Sequence, residues 1–202
     1  MKRHWPLRFL LAAAVLFAVE ISFATDATNR PASWAVPQTL AGVPNFYQVA
    51  TNLYRGAQPT SEGMEHLRAL GIKYVVNLRM LRSDQPLLRH AGLKGVNLAM
   101  VPWHVNSRDV LQFLKAVTDT NNLPVFVHCE RGADRTGLMC AMYRVVVCNW
   151  TKAEALSEMK DGGFHFSPAW KSLISFVEKA DVAWYRQKLG WLDLPGAASP
   201  KT

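Results

Sequence analysis

The segment LPVFVHCERGADRTGLMCAMYR, residues 123–144, decides how this chain is read. Residues 123–128 form a β-rich apolar run of the kind buried in a parallel sheet, with Pro124 tolerable near its start. A helix is predicted over 136–149, so residues 129–135 form a strand-to-helix loop. In open α/β sheets such loops lie at the carboxyl ends of strands, where ligands bind. The backbone N–H groups of Glu130, Arg131, Gly132, Ala133, Asp134 and Arg135 can close into a ring at a helix N-terminus. Such a nest suits a tetrahedral oxyanion. Gly132 and Gly137 permit the turn and the close approach this requires.

A thiol opens the loop and a guanidinium closes it. The positive field at a helix N-terminus favours a thiolate at Cys129, which makes it a nucleophile near neutral pH. Arg135 can grip two phosphate oxygens through its planar fork and follow them into the transition state. Thr136 is placed to donate its hydroxyl to the sulfur and help it depart. These parts suit phosphoryl transfer, where positioning and charge stabilisation dominate. No cofactor and no metal set is required.

Outward from this segment, strands and helices alternate. Residues 47–50 and 52–55 read as a hairpin, and a helix starts at Thr60 with Glu62 in its first turn and Gly71 as its stop. KYVVNL (73–78) is a second buried strand, 83–91 a short helix, 95–101 a further strand, and 108–119 a helix with Val110, Phe113, Leu114 and Val117 on one face. Helices are predicted over 151–160 and 167–186. The pattern argues for an α/β layer fold with a mostly parallel sheet.

The chain has 202 residues, half of them apolar, which suits one domain with a sizeable core and excludes a disordered chain. Residues 9–19 carry no polar side chain, follow Lys2, Arg3 and Arg8, and precede Ser22-Phe23-Ala24, the pattern of a Sec-type signal peptide over 1–24. As a helix the run would span about 16 Å against a hydrocarbon core of about 30 Å, so no stable membrane span is expected after cleavage. An exported, periplasmic or secreted protein is therefore expected. Cleavage would lower the net charge from +8 to +6, with no basic run or aromatic-interleaved stripe, which argues against nucleic acid as partner. Residues 25–44 read as an extended leader, 45–186 as the catalytic domain, and 187–202 as a flexible tail. The three cysteines cannot complete a disulfide framework, and Cys140 and Cys148 lie about 12 Å apart along a predicted helix, too far to pair. Both read as core residues. The oligomeric state is left open.

His128-Cys129, five residues, then Arg135-Thr136-Gly137 resembles the signature of the cysteine-dependent protein tyrosine and dual-specificity phosphatases. The likeness runs from NFYQVATNLYRGAQP at Asn45 through Tyr143-Arg144 and EALSEMKDGGF to about Phe176, and is greatest to compact bacterial members, some of them exported. It implies a three-layer fold, with a central, mostly parallel sheet flanked by helices. It also implies a phosphocysteine intermediate on Cys129, His128 as a loop-bracing hydrogen-bonder, and a structural role for Arg55. The substrate class is a phosphoprotein carrying phosphotyrosine, with phosphoserine or phosphothreonine open, or another phosphomonoester.

One part of the family pattern is not met. The general-acid Asp of this class sits on a loop about thirty residues before the nucleophile, and residues 99–106 (AMVPWHVN) contain no carboxylate. Expulsion of a poor leaving group needs a proton. Asp134, inside the loop, resembles the arrangement in myotubularin-type phosphatases; Asp109 is the alternative, and His104 a third. Two other activities remain open. A phosphoinositide or inositol-phosphate phosphatase would use the same loop, although Glu130 and Ala133 stand where those families favour Lys. A non-catalytic phosphate-binding module would keep Arg135 and would not need Cys129, Thr136 and an acid together.

Overall fold

The structure, a computed structural model, describes residues 30–191. The expected signal segment 1–24 and residues 192–202 of the expected tail lie outside them. Among the described residues six strands form one sheet in the order β1-β2-β3-β6-β4-β5. The strands are β1 (Val36–Pro37), β2 (Tyr47–Ala50), β3 (Leu53–Gly56), β4 (Tyr74–Asn77), β5 (Lys94–Asn97) and β6 (Val125–His128). From β3 to β5 the neighbours are parallel, while β1 and β2 add antiparallel strands at one edge. Strand β6 lies between β3 and β4, pairing His128 with Gly56 on one side and Asn77 on the other. The carboxyl ends of three strands therefore converge on the loop that follows His128.

Two helical layers cover the sheet. Alternate strand residues point to opposite faces, so Val75 and Phe126 join one core with Met64, Leu67 and Leu88, while Val76, Val125 and Val127 join another. Helices α1 (Ser61–Ala69) and α2 (Gln85–Ala91) cover the first face. Helices α3 (Ser107–Thr118), α4 (Asp134–Val146), α5 (Lys152–Asp161), α6 (Lys171–Lys179) and α7 (Val182–Lys188) build the second. Helix α4 is buried along almost its whole length, the expected state of a helix surrounded by others. This is the three-layer arrangement expected.

Local signals account for the helix ends. The Thr60 hydroxyl accepts from Gly63 N–H to start α1, Asn106 starts α3 by accepting from Arg108 N–H, and Thr151 with Glu154 forms a capping box on α5. Four expectations are corrected. The single helix over 167–186 is two, because the chain leaves helical geometry at Ala180 and Asp181 restarts it by accepting from Trp184 N–H at 2.9 Å. Strand β5 ends at Asn97, so residues 98–101 are free to enter an irregular turn closed by a Val101–His104 bridge. Helix α4 begins at Asp134, which puts Asp134 and Arg135 inside its first turn. The segment 31–44, expected as an extended leader, contributes β1 and buries Ala35 and Val43.

Candidate active site

Cys129 directly follows β6 and is 2% exposed, at the floor of the 129–135 loop. The loop carbonyls are turned outward and held there. Glu130 O accepts from Gln58 N–H at 3.2 Å, and Arg131 O from Asn45 Nδ2 at 2.9 Å. Gly132 O accepts from the Arg55 guanidinium at 2.8 Å, which also reaches Ala133 O at 3.4 Å. A planar trans peptide holds each C=O antiparallel to the following N–H, so the amides of 131–134 face the opposite, concave side. Gly132 has φ of +69°, and a Cβ there would sit 2.4 Å from the Gly56 carbonyl, so only glycine lets the loop lie against the end of β3.

Arg55 is fully buried beneath the loop, with its guanidinium carbon 3.6 Å from the centre of the Phe164 ring. His128 is fully buried too, stacked on Phe126, and its Nε2 lies 2.7 Å from Asp84 Oδ2. Asp84 also accepts from Arg79 at 2.8 Å, and Arg79 lies 3.5 Å from the Glu130 carboxylate. Burial would raise the Asp84 carboxyl, but the His128 hydrogen bond and the pull of His128 and Arg79 outweigh it and hold it below its ordinary 3.8. Asp84 and Arg79 escape sequence reading. Ser-Asp-Gln-Pro reads as a helix start, yet the Asp84 side chain makes no capping bond and turns inward instead.

Arg135 is half-buried, with its guanidinium resting 3.4 Å from the carbonyls of Leu78 and Met100. The Thr136 hydroxyl is fully buried and has no hydrogen-bond partner among the described residues. Asp134 Oδ1 accepts from Ser167 N–H at 2.8 Å, and Oδ2 faces the exposed Arg131 guanidinium at 3.3 Å. Two depressions flank the loop. One, of about 570 Å³, runs past Asn45, Gln58, Arg131 and the exposed His165; the other, of about 300 Å³, past Arg79, Trp103, Arg135 and Trp170, with Glu130 between them. Asp109 lines neither. It sits half-buried in the first turn of α3, where burial raises its carboxyl and the nearby His104 opposes the rise.

A buried cysteine and an arginine six residues apart, spanning a loop of inward-facing amides at the carboxyl end of the central parallel strand, define the cysteine-dependent phosphatase class. The family described as "DSP-PTPase phosphatase fused to NAD+ Kinase" matches residues 39–170, and the chain belongs to this family of dual-specificity and tyrosine phosphatases. It is a cysteine-dependent phosphoric monoester hydrolase. The dual specificity protein phosphatase TpbA of Pseudomonas aeruginosa is 35% identical over 180 residues, which cover 87% of this chain and 81% of the relative. A solved structure of P. aeruginosa TpbA, a cysteine-to-serine variant in complex with phosphotyrosine, superposes with a TM-score of 0.70 at 31% identity, covering 82% of this chain and 99% of that one. The inositol diphosphatase DSP3 of Arabidopsis thaliana is 28% identical over 162 residues, 74% of this chain and 76% of the relative.

Proposed function

We propose that this chain hydrolyses phosphotyrosine, and phosphoserine or phosphothreonine with it, in protein substrates through a phosphocysteine on Cys129. The single observation carrying the reading is the similarity to a phosphatase solved with phosphotyrosine, and the family match over residues 39–170 includes the whole 129–135 loop. The Cys129 sulfur attacks phosphorus, the S–P bond forms, and the bond to the leaving oxygen breaks. The amides of 131–134 and the Arg135 guanidinium bind the three equatorial oxygens, which requires Arg135 to exchange its two long contacts at 3.4 Å for phosphate. Asp134 gives the leaving oxygen its proton. It is the acidic candidate that belongs to the loop itself, and its exposed Arg131 contact can open to free Oδ2. Water then attacks phosphorus, Asp134 takes its proton, and the S–P bond breaks. The unpartnered Thr136 hydroxyl supports a role in stabilising the departing sulfur.

The similarity to an inositol diphosphatase favours a second reading, an inositol-phosphate phosphatase. Glu130 weighs against it, since it lines both depressions beside the loop and its negative charge opposes a second phosphate there. The signal-like pattern at 1–24 supports export to the periplasm or beyond. N-terminal sequencing of the protein recovered from the periplasmic fraction should begin at Thr25, and a mature chain starting at Met1 would refute export by cleavage.

The mechanism is tested with an aryl phosphate and a Cys129→Ser variant. Hydrolysis should fall by at least ~10³-fold, the scale on which lost nucleophiles act. Turnover that survives the substitution would discard the phosphocysteine. A panel of phosphopeptides and inositol phosphates, with the wild-type protein, then separates the two substrate classes.

A further inference from the structure

A cleft of about 570 Å³ opens between the 103–107 segment and helices α6 and α7. Trp103, Phe176 and Trp184 form its apolar walls, with Ser175 and Ser107 among its polar lining. Trp103 is 65% exposed and also lines the depression that holds Arg135, so the cleft adjoins that depression across this side chain. The indole stands on the turn closed by Val101 and His104, and this turn is pinned to α6 by the Ser172 hydroxyl, which donates to Pro102 O at 2.7 Å. A large aromatic held out in water at the edge of a catalytic pocket marks a surface for binding.

Tyr185 also lines the cleft, with its hydroxyl buried beside Ser107. A polypeptide supplies what the cleft asks for, an apolar side chain for the walls and backbone N–H or C=O groups for the Ser175 and Ser107 hydroxyls on the lining. Lys179 and Asp181 oppose each other on the lining, so the cleft has no net charge to recruit a polyanion.

We propose that this cleft is a docking subsite for an apolar side chain of the substrate polypeptide close to its phosphorylated residue, with Trp103 as the wall shared with the phosphate site. The proposal rests on the phosphoprotein reading. It makes the substrate class narrower, since phosphopeptides with an apolar flank are preferred over polar ones.

The test compares kcat/KM for phosphotyrosyl peptides carrying Leu or Trp at successive flanking positions with peptides carrying Ser there. An aryl phosphate, too small to reach the cleft, is the control. Wild-type protein should prefer one apolar flank by about tenfold, mostly through KM. Phe176→Ala should reduce the preference to about twofold or less. Because that substitution also removes packing, Ser175→Trp provides a second variant, which fills the cleft without taking away a packed side chain and should act likewise. In both variants aryl phosphate turnover should stay within about twofold of wild type. Phosphopeptides hydrolysed without regard to their flanks, or a preference that survives both variants, would overturn the subsite and leave the phosphoprotein reading standing. An enzyme that hydrolyses inositol phosphates and no phosphopeptide would instead remove that reading, and the subsite with it.

Discussion

Asp134 has two tasks in one first turn of helix. Its Oδ1 fixes the Ser167 amide and so ties the segment after α5 to the phosphate loop. Its Oδ2 faces the exposed Arg131 and is the oxygen that gives the proton in the proposed mechanism. Asp134→Asn should keep most of the Ser167 contact and lose the proton. Turnover of phenyl phosphate should fall by about 10²-fold or more, while an aryl phosphate with a strongly acidic leaving group should lose far less. Equal losses across a leaving-group series would leave Asp134 a purely structural role. The three cysteines divide at the same scale. Cys140 is buried and its thiol is pushed up to about 11, chiefly by that burial, and Cys148 is raised for the same reason. All three are free, and among them only Cys129 lies on the loop.

At the scale of elements, the loop between β4 and α2 supports the phosphate loop from the side. Asn77 shapes it by accepting from Arg79 N–H and donating to Arg82 O, both at 2.8 Å, and Asp84 then reaches His128 across 44 residues of sequence. A carboxyl held below 3.8 in the folded chain contributes stability above that pH, and the contribution is lost as pH falls through its folded value. Asp84→Asn should therefore be less stable than wild type at pH 7 in urea unfolding. The gap should narrow as pH drops below about 4. A gap that stays constant from pH 7 to pH 3 would show that the carboxylate charge is not what holds His128. Strand and helix periods were legible in sequence, and so was the helix start at Thr60, because these depend on neighbours along the chain. The break between α6 and α7 was hidden, since the apolar spacing continues across Ala180 and only the turn into the Asp181 cap ends the first helix.

For the whole molecule, one buried ion pair joins segments far apart in sequence. Arg144 of α4 donates to both oxygens of Glu158 of α5 at 2.8 Å, and the same two residues take Ser33 O and Ala35 N–H from the segment before β1. Arg144 also packs over Trp150, 4.2 Å from the ring centre. Glu158→Gln leaves a buried guanidinium without its counter-charge and should cost about 3–5 kcal/mol, read from urea unfolding. A cost under ~1 kcal/mol would mean that the pair is replaceable by neutral hydrogen bonds. The resemblance pointed to the Tyr143-Arg144 helix and to EALSEMKDGGF separately, and the fold joins them.

By itself the sequence determined the layer class, the loop between the buried strand and its helix, and the residue types that loop presents, because periodicity, turn chemistry and a seven-residue motif are local properties. It also settled that Cys140 and Cys148 do not pair, from helical rise alone. Only the tertiary structure decided that Arg55 lies under the loop, that Asp84 grips His128, and that Trp103 stands between the phosphate site and a neighbouring cleft. The first two contacts follow from β6 inserting between β3 and β4, an order set by the packing of two helical layers on one sheet rather than by any pattern along the chain.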